Sequence, residues 1–349
     1  MIVSNLMFVA SLALLCAAML ALGCKYLPRE RWQVLAAVPT QRQNDGQWQG
    51  VNFTYYGFLT ANAYVMALLM LVILLQSIQV ALSSLLMLAF TLLGVCVPAS
   101  RIVAAIVEGK AHTFTVGGAV FVGIISAPLL IIIGNMVAGA NSLPPIPTLA
   151  ALGIAYAMGE GLGRLACISF GCCYGKPIHQ CGTVGRLLFS HFNFVFYGKT
   201  KKISYASGLM GQPVVPIQAL TAMLYVSAAL VGTLLFLSAN YRSAFLLTAL
   251  VTQGWSIYSE TLRADYRGDQ AFSVYQWMGV IGMLYVILVS VLLSSTISVL
   301  PQITSGVRAL WNPTIILSVQ GVWLLLFWYT GKSSVTGSRL SFYVHHSRI

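Results

Sequence analysis

Charge is scarce in this sequence, and acidic charge is the scarcest. Of its 349 residues, 58% are hydrophobic, only 7% are charged, and seven are aspartate or glutamate. This composition excludes an ordinary soluble domain, in which about 25% of residues are charged. The net charge of +12 is not accompanied by a basic patch interleaved with aromatic residues. We therefore expect partners among anionic membrane lipids and none among nucleic acids.

Polar interruptions of the apolar runs are short, which is typical of a polytopic helical membrane protein. No Lys or Arg precedes the first apolar run, which argues against a cleavable signal peptide. No internal repeat is evident in the sequence. We predict an all-α helical bundle of about nine spans, at residues 4–23, 55–77, 79–107, 113–138, 147–170, 216–238, 241–262, 273–297 and 313–330.

The longest connection between the predicted spans is residues 171–215, called the arm below. The arm is too polar to span a membrane and is not of low complexity, so we predict an ordered arm or small head that covers a site. Alternation of the spans places the arm on the same side as residues 25–53, 108–112, 263–272 and the C-terminus. That side holds most of the Lys and Arg, so the positive-inside rule predicts that it is cytoplasmic.

Two charges interrupt the apolar run that ends near residue 170. Glu160 and Arg164 are four residues apart, so a helix places them on one face. Ionisable groups within a membrane usually face the bundle interior or a wet cavity. A packing helix with one internal ion pair and a functional site are both consistent with this pattern. Small residues at every fourth position would admit a neighbouring helix or a substrate headgroup: Ala155, Gly159, Gly163, Cys167, Gly171 and Gly175.

Paired C-x2-C motifs are missing, although the sequence contains seven cysteines. Three of them lie in or beside apolar runs and are expected to be small core residues. The other four cluster around the central charges, at Cys167, Cys172, Cys173 and Cys181. Four cysteines can hold zinc, but this spacing differs from that of ordinary zinc sites, so we predict no metal and no cofactor. A disulfide to Cys181 stays open if this side faces an oxidising compartment.

Two stretches near the starts of early spans combine aromatic, polar and small residues. Residues 52–58 include Tyr56, and their simplest interpretation is an interfacial aromatic belt. Farther along, His112 precedes the glycine pair Gly117 and Gly118. Exposed N–H groups at a helix start favour an anion, whereas His112 alone is more often a plain interfacial histidine.

Two later stretches also mark the ends of predicted spans. Residues 211–218 lead from the arm into a span, and Pro216 suits the first turn of a helix, which is its simpler role. Residues 259–269 alternate in charge and are followed by Gln276. The alternation is consistent with a solvated turn, but Glu260 ends an apolar segment, which favours a site there.

The order and spacing of these segments resemble those of the prolipoprotein diacylglyceryl transferase family. The segments that carry the resemblance are Tyr55-Tyr56-Gly57, Gly117-Gly118, Gly163-Arg164-Leu165, Gly171 to Gly175, Pro216-Ile217-Gln218, and Glu260 with Arg263, Asp265 and Gln276. The resemblance implies a seven-span membrane core at residues 51–297. Residues 1–50 would then add a first span and a polar connector, and residues 298–349 would add a last span and a basic tail.

The resemblance further implies a multi-pass enzyme of the bacterial inner membrane that acts in lipoprotein biosynthesis. Members of the family move a diacylglyceryl group from phosphatidylglycerol to the cysteine thiol of a lipoprotein precursor. A thiolate attacks the glyceryl carbon and glycerol phosphate leaves, which requires a cation for the phosphate and a base for the thiol. Matching motifs imply Arg164 and Glu260 as catalytic residues, and substrate binding by Tyr56, Gly117, Gly118, Gly163, Arg263 and Gln276.

The sequence departs from the family at several functional positions. Val116 replaces a histidine, Ser256 replaces an arginine, and Cys167 and Cys172 replace an asparagine and a glutamate of the central motif. Four alternatives to the family reaction stay open: a different acceptor, loss of activity, a lipid-binding or assembly role on the same fold, and a transporter. His112 lies about one helical turn from Val116 and is not assumed to replace the missing histidine. Members of the family have their arm on the external side of the membrane. We therefore predict an external arm here, although the distribution of Lys and Arg predicts a cytoplasmic one.

Overall fold

The chain folds into a bundle of long helices with a small sheet and an arm at one end. The computed structural model describes residues 2–108, 116–138, 143–264, 272–293 and 300–349, and it is 72% helical. Its helices are α1 Ile2–Tyr26, α2 Tyr55–Ser77, α3 Leu82–Glu108, α4 Val116–Ala138, α5 Pro145–Phe170, α6 Thr183–His191, α7 Lys202–Ser207, α8 Ile217–Leu237, α9 Tyr241–Glu260, α10 Val274–Leu292, α11 Ile303–Ala309 and α12 Pro313–Gly331. Its strands are β1 Val34–Arg42, β2 Trp48–Thr54, β3 Phe194–Val195, β4 Pro213–Val214 and β5 Lys332–Leu340.

Seven of these helices are long and apolar enough to cross a membrane, namely α1, α2, α3, α4, α8, α10 and α12. This agrees with a helical polytopic membrane protein but not with the predicted count of nine spans. Helices α5 and α9 occupy the two other predicted spans, 147–170 and 241–262. They are less apolar because α5 contains Glu160 and Arg164 and α9 contains Gln253.

Helix α5 lies at the centre of the bundle, packed between α2, α8 and α9. Small residues permit this close packing. A Cβ added at Gly159 would lie 2.7 Å from the Cβ of Ala67 on α2, and one at Gly153 would lie 2.5 Å from Thr248 Oγ1 on α9. At Gly161 the added atom would meet a backbone oxygen of α8 at 3.2 Å. The spacing of small residues therefore lets neighbouring helices approach α5 closely.

A three-stranded antiparallel sheet joins the two ends of the chain. Strands β1 and β2 form a hairpin in which Val38 faces Val51, and β2 also pairs with β5. The hairpin turns through Asp45 and Gly46, whose φ is 80°. The sequence analysis described this segment only as a polar connector, although an Asp-Gly pair is a known hairpin signal. Consequently, the segments outside the family resemblance contact each other through this sheet.

The connections predicted to share one side of the membrane meet at one end of the bundle. Strand β2 pairs with β5, so the first connector contacts the segment after α12. Gln33 donates to the carbonyl of Thr200 in the arm at 2.7 Å. Lys176 of the arm donates its backbone N–H to Leu262, after α9, at 2.9 Å. The remaining connection of this group is residues 108–112, of which 109–112 lie outside the described residues.

The arm contains the short helices α6 and α7 and the short strands β3 and β4. Lys201 fixes it to the bundle: its side chain is fully buried, and Nζ donates to the carbonyl oxygens of Leu27 at 3.1 Å and Ser169 at 2.5 Å. These carbonyls lie at or just beyond the ends of α1 and α5, where backbone acceptors need partners. Burial lowers the pKa of Lys201 to about 8, although Glu30 acts in the opposite direction. Coverage of a site by the arm stays a prediction.

We expect Gly57→Ala to destabilise the packing of α12 on α2. A Cβ at Gly57 would lie 2.1 Å from the Cα of Gly331, and backbone atoms cannot rotate out of the way. Overpacking of this kind typically costs about 1–3 kcal/mol. Thermal unfolding in detergent should show a clearly lowered midpoint. Gly321→Ala on α12 is the matched control, because an added Cβ there meets nothing within 4 Å. Equal midpoints for the two variants would contradict the close contact.

Candidate functional site

Glu160 and Arg164 lie on α5, near its C-terminal end, with their side chains directed into the bundle. Arg164 donates to the carboxylate of Glu160, and their side chains are only 15% and 14% exposed. Arg164 Nε is buried and has no hydrogen-bond partner among the described residues. A planar guanidinium has five N–H donors, so this ion pair leaves Arg164 with donor capacity for a ligand.

The second pair of charges follows the end of α9. Glu260 is the last residue of that helix, and Arg263 lies in the turn after it. Arg263 Nη1 is 3.5 Å from Glu260 Oε1, and the two side chains are 7% and 10% exposed. Sequence spacing alone places these two residues close together. Their low exposure shows that these two side chains pack against the bundle, although Thr261 between them is exposed.

Backbone pairing holds the end of α5 against the turn after α9. The N–H of Lys176 donates to Leu262, and the N–H of Ala264 donates to Tyr174 at 3.1 Å. On its other side, Lys176 accepts from the N–H of Val215 at 3.0 Å. The first residues of the arm therefore form a short ladder between the late motif and the segment that leads into α8.

This ladder brings the central and late motifs into electrostatic contact. The carboxylate of Glu160 interacts with both Arg164 and Arg263. Both guanidinium groups also act electrostatically on the sulfur of Cys173. Two arginines from distant parts of the sequence thus act on the same small region, which is shielded from water. Such an arrangement can bind a phosphate through paired hydrogen bonds.

Tyrosine side chains from three helices surround the ion pair. Tyr56, in the first turn of α2, packs its ring 5.5 Å from that of Phe170 and interacts with the nearby thiols. Tyr64 on α2 interacts with Glu160, and Tyr156 and Tyr225 interact with both Glu160 and Arg164. Sequence reasoning selected Tyr56 alone. Tyr156 was detectable, because it lies four residues before Glu160 on the same helical face.

Three thiols gather where α5 ends. The sulfur atoms of Cys167, Cys172 and Cys173 all lie within 4.8 Å of one another. Cys181 is not one of this group and lies with its Sγ 3.9 Å from the carbonyl oxygen of Pro177. All the cysteines are free thiols in the structure. The expected grouping of four cysteines is therefore reduced to three.

Gln218 connects the thiol group to α8. Its Nε2 donates to the backbone carbonyl of Cys172 at 2.8 Å. Its Oε1 is buried and has no partner among the described residues, and the residue is only 1% exposed. Gln218 belongs to a segment that carries the family resemblance but was not selected as a site residue. An unpaired buried acceptor is costly, which makes Gln218 Oε1 a candidate contact for a ligand hydroxyl group.

Gly163 and Gln276 make structural contacts. A Cβ at Gly163 would lie 3.7 Å from that of Ala63, so this glycine faces α2. Gln276 accepts from the N–H of Ser273 in a capping box and donates to the carbonyl of Ile257 at 3.0 Å. Both the oxygen and the nitrogen of the Gln276 side-chain amide are therefore hydrogen-bonded, and this residue links α10 to α9.

The remaining predicted positions lie in the first turn of α4. A Cβ at Gly117 would lie 3.0 Å from the ring of Tyr275 on α10, and Gly118 is buried beside it. His112, Asp265 and Asp269 lie outside the described residues. A comparison of the sequence with models of known protein families and with curated proteins finds no match.

Proposed function

We propose that this protein is an integral membrane transferase that uses phosphatidylglycerol. It moves the diacylglyceryl group to the cysteine thiol of a lipoprotein precursor or to a related acceptor. The main support is the convergence of Arg164 and Arg263 on one shielded region, with Glu160 and Glu260 beside them. Two guanidinium groups can hold a phosphodiester, and two carboxylates keep the site near neutrality when it is empty.

We propose that the two less apolar central helices also span the membrane. Helices α5 and α9 cross the bilayer together with the seven more apolar helices, which gives nine spans. Their polar residues face the bundle interior, where ionisable groups in membrane proteins usually lie. The protein is a multi-pass protein of the bacterial inner membrane, where phosphatidylglycerol supplies both the donor group and the surrounding lipid.

The central motif, with Arg164, and the late motif, with Glu260 and Arg263, have different roles in the proposed reaction. The acceptor thiol loses its proton to a base, for which Glu260 is the candidate, and the thiolate attacks the terminal glyceryl carbon. A carbon–sulfur bond forms as the carbon–oxygen bond to phosphate breaks, and glycerol phosphate leaves. Arg164 stabilises the charge that develops on the leaving phosphate, and Arg263 holds the same group. Tyr56 lies beside the thiols and, as the family resemblance implies, binds substrate.

Two experiments test this function. The first expresses the chain in cells that lack their own transferase and measures maturation of a lipoprotein precursor. The second supplies purified protein with phosphatidylglycerol labelled in its headgroup and measures release of glycerol phosphate in the presence of a precursor peptide. Restored maturation and precursor-dependent release support the proposal. If the purified protein binds the lipid but releases no glycerol phosphate with a cysteine peptide, the transferase proposal fails and lipid binding is the function.

A further inference from the structure

The three thiols at the end of α5 have an arrangement that the proposed lipid chemistry does not require. The sulfur atoms of Cys167, Cys172 and Cys173 lie within 4.8 Å of one another. Three thiolates around one metal ion, each at about 2.3 Å, are about 4.0 Å apart when the ion lies in their plane. Small rotations of the side chains therefore suffice to bring all three sulfurs onto one ion.

The backbone fixes this arrangement before any ligand arrives. Gly171 ends α5 in the left-handed conformation, with φ 72°, and reverses the chain so that the next residues fold back on Cys167. The N–H of Cys172 then donates to the carbonyl of Cys167 at 3.1 Å. Cys173 itself has φ 54°, which is unusual for a residue with a side chain. Strained backbone of this kind is concentrated at binding sites, where the surroundings hold it in place.

Two guanidinium groups act electrostatically on the cluster. Arg263 and Arg164 both interact with Cys173. Metal ions bind deprotonated sulfur, so a three-thiolate site is strongly negative. The two guanidinium groups offset part of that negative charge.

The number and type of ligands select the class of ion. Among the described residues, the three sulfurs form a group that no carboxylate or imidazole atom joins. A disulfide would use two of the sulfurs and leave the third unused, whereas a metal ion uses all of them. Soft thiolates select Cu(I), zinc and iron–sulfur clusters. Structural zinc sites and iron–sulfur clusters usually take four protein ligands, so a set of three thiolates is best matched by Cu(I).

We propose that Cys167, Cys172 and Cys173 form a three-thiolate binding site for a soft monovalent metal ion, Cu(I). The site lies beside the proposed headgroup site but does not depend on it. Ion binding would lock the turn between α5 and the arm, since the three ligands lie on both sides of Gly171.

The first test uses the unmodified protein, reduced in detergent under anaerobic conditions and titrated with Cu(I) against a chromophoric Cu(I) chelator. We expect one ion per chain and an X-ray absorption spectrum with three sulfur ligands. Alkylation followed by mass spectrometry should show Cys167, Cys172 and Cys173 protected by the ion and Cys181 still modified. Loss of copper to the chelator without protection of these three thiols would overturn the proposal.

Variants supply the second test. Each of Cys167→Ser, Cys172→Ser and Cys173→Ser should weaken Cu(I) binding by more than about 100-fold, since even outer-shell changes at metal sites cost 10- to 100-fold. Cys181→Ser is the matched control and should bind as the parent does. Undiminished binding in a triple serine variant that elutes as the parent does would refute the site. Zn(II) bound with a fourth ligand, or a disulfide within the cluster that excludes copper, would also refute it.

Discussion

Replacing Arg164 with alanine is expected to lower the rate of glycerol phosphate release by about 100- to 1,000-fold. The leaving phosphate gains negative charge in a region where Arg164 is only 15% exposed, and a fixed guanidinium stabilises that charge more strongly there than in bulk water. Arg164→Lys keeps the charge but loses the planar fork, so its rate should fall between those of the parent and the alanine variant. Release of labelled glycerol phosphate by purified protein measures both effects.

The matched control for this prediction is Arg308→Ala. Arg308 lies in α11, which contacts the end of α2 opposite to the site through the hydrogen bond from Gln302 to Ser77. This variant should turn over phosphatidylglycerol at the parental rate. If both Arg164 variants accumulate normally and also retain the parental rate, Arg164 is a packing residue and the central motif is not the active site.

The second large effect concerns stability. Arg164→Met should destabilise the protein by about 3 kcal/mol, because it leaves the carboxylate of Glu160 shielded from water with its main partner removed. Adding Glu160→Met in the same chain removes the stranded charge. Exchange of a buried ion pair for apolar residues of similar volume is often neutral or stabilising. We therefore expect the double variant to regain most of the lost stability, as measured by thermal unfolding in detergent.

Comparison of the two variants separates folding from catalysis. The double variant should be stable and still inactive, because recovery of packing does not restore the guanidinium. A double variant that is no more stable than Arg164→Met would show that the ion pair is not the source of the loss. A stable double variant with parental activity would remove Arg164 from the mechanism.

Local patterns in the sequence were sufficient to predict the helices and their charged ends. Each predicted span coincides with a helix, and the four-residue spacing of Glu160 and Arg164 correctly placed them as neighbours. Among the described residues, seven helices are apolar enough to cross a membrane, compared with nine predicted spans, and this difference has a physical reason. The most central helices, α5 and α9, are shielded by other helices and therefore tolerate polar residues that a lipid-facing helix does not.

Local sequence patterns could not predict the features that depend on contacts between distant segments or on how a helix ends. Helical spacing cannot relate Cys167 to Cys172, because the left-handed turn at Gly171 lies between them. The pairing of β2 with β5 joins segments about 280 residues apart. In β2 the more buried positions are the small and polar residues Gly50, Asn52 and Thr54, so hydrophobicity does not mark the buried face of this strand. Approach of Arg263 to Glu160 likewise depends on the backbone ladder beside Lys176.

The order of synthesis gives the sheet a consequence for assembly in the cell. Strand β2 leaves the ribosome long before β5, at Lys332–Leu340, because the two strands are about 280 residues apart in the chain. Until then, β2 is paired only with β1 and exposes the backbone groups of its other edge, which invites pairing with another chain. Nascent chains and truncated chains that lack β5 are therefore the forms most exposed to aggregation and proteolysis, and pairing with β5 closes that edge.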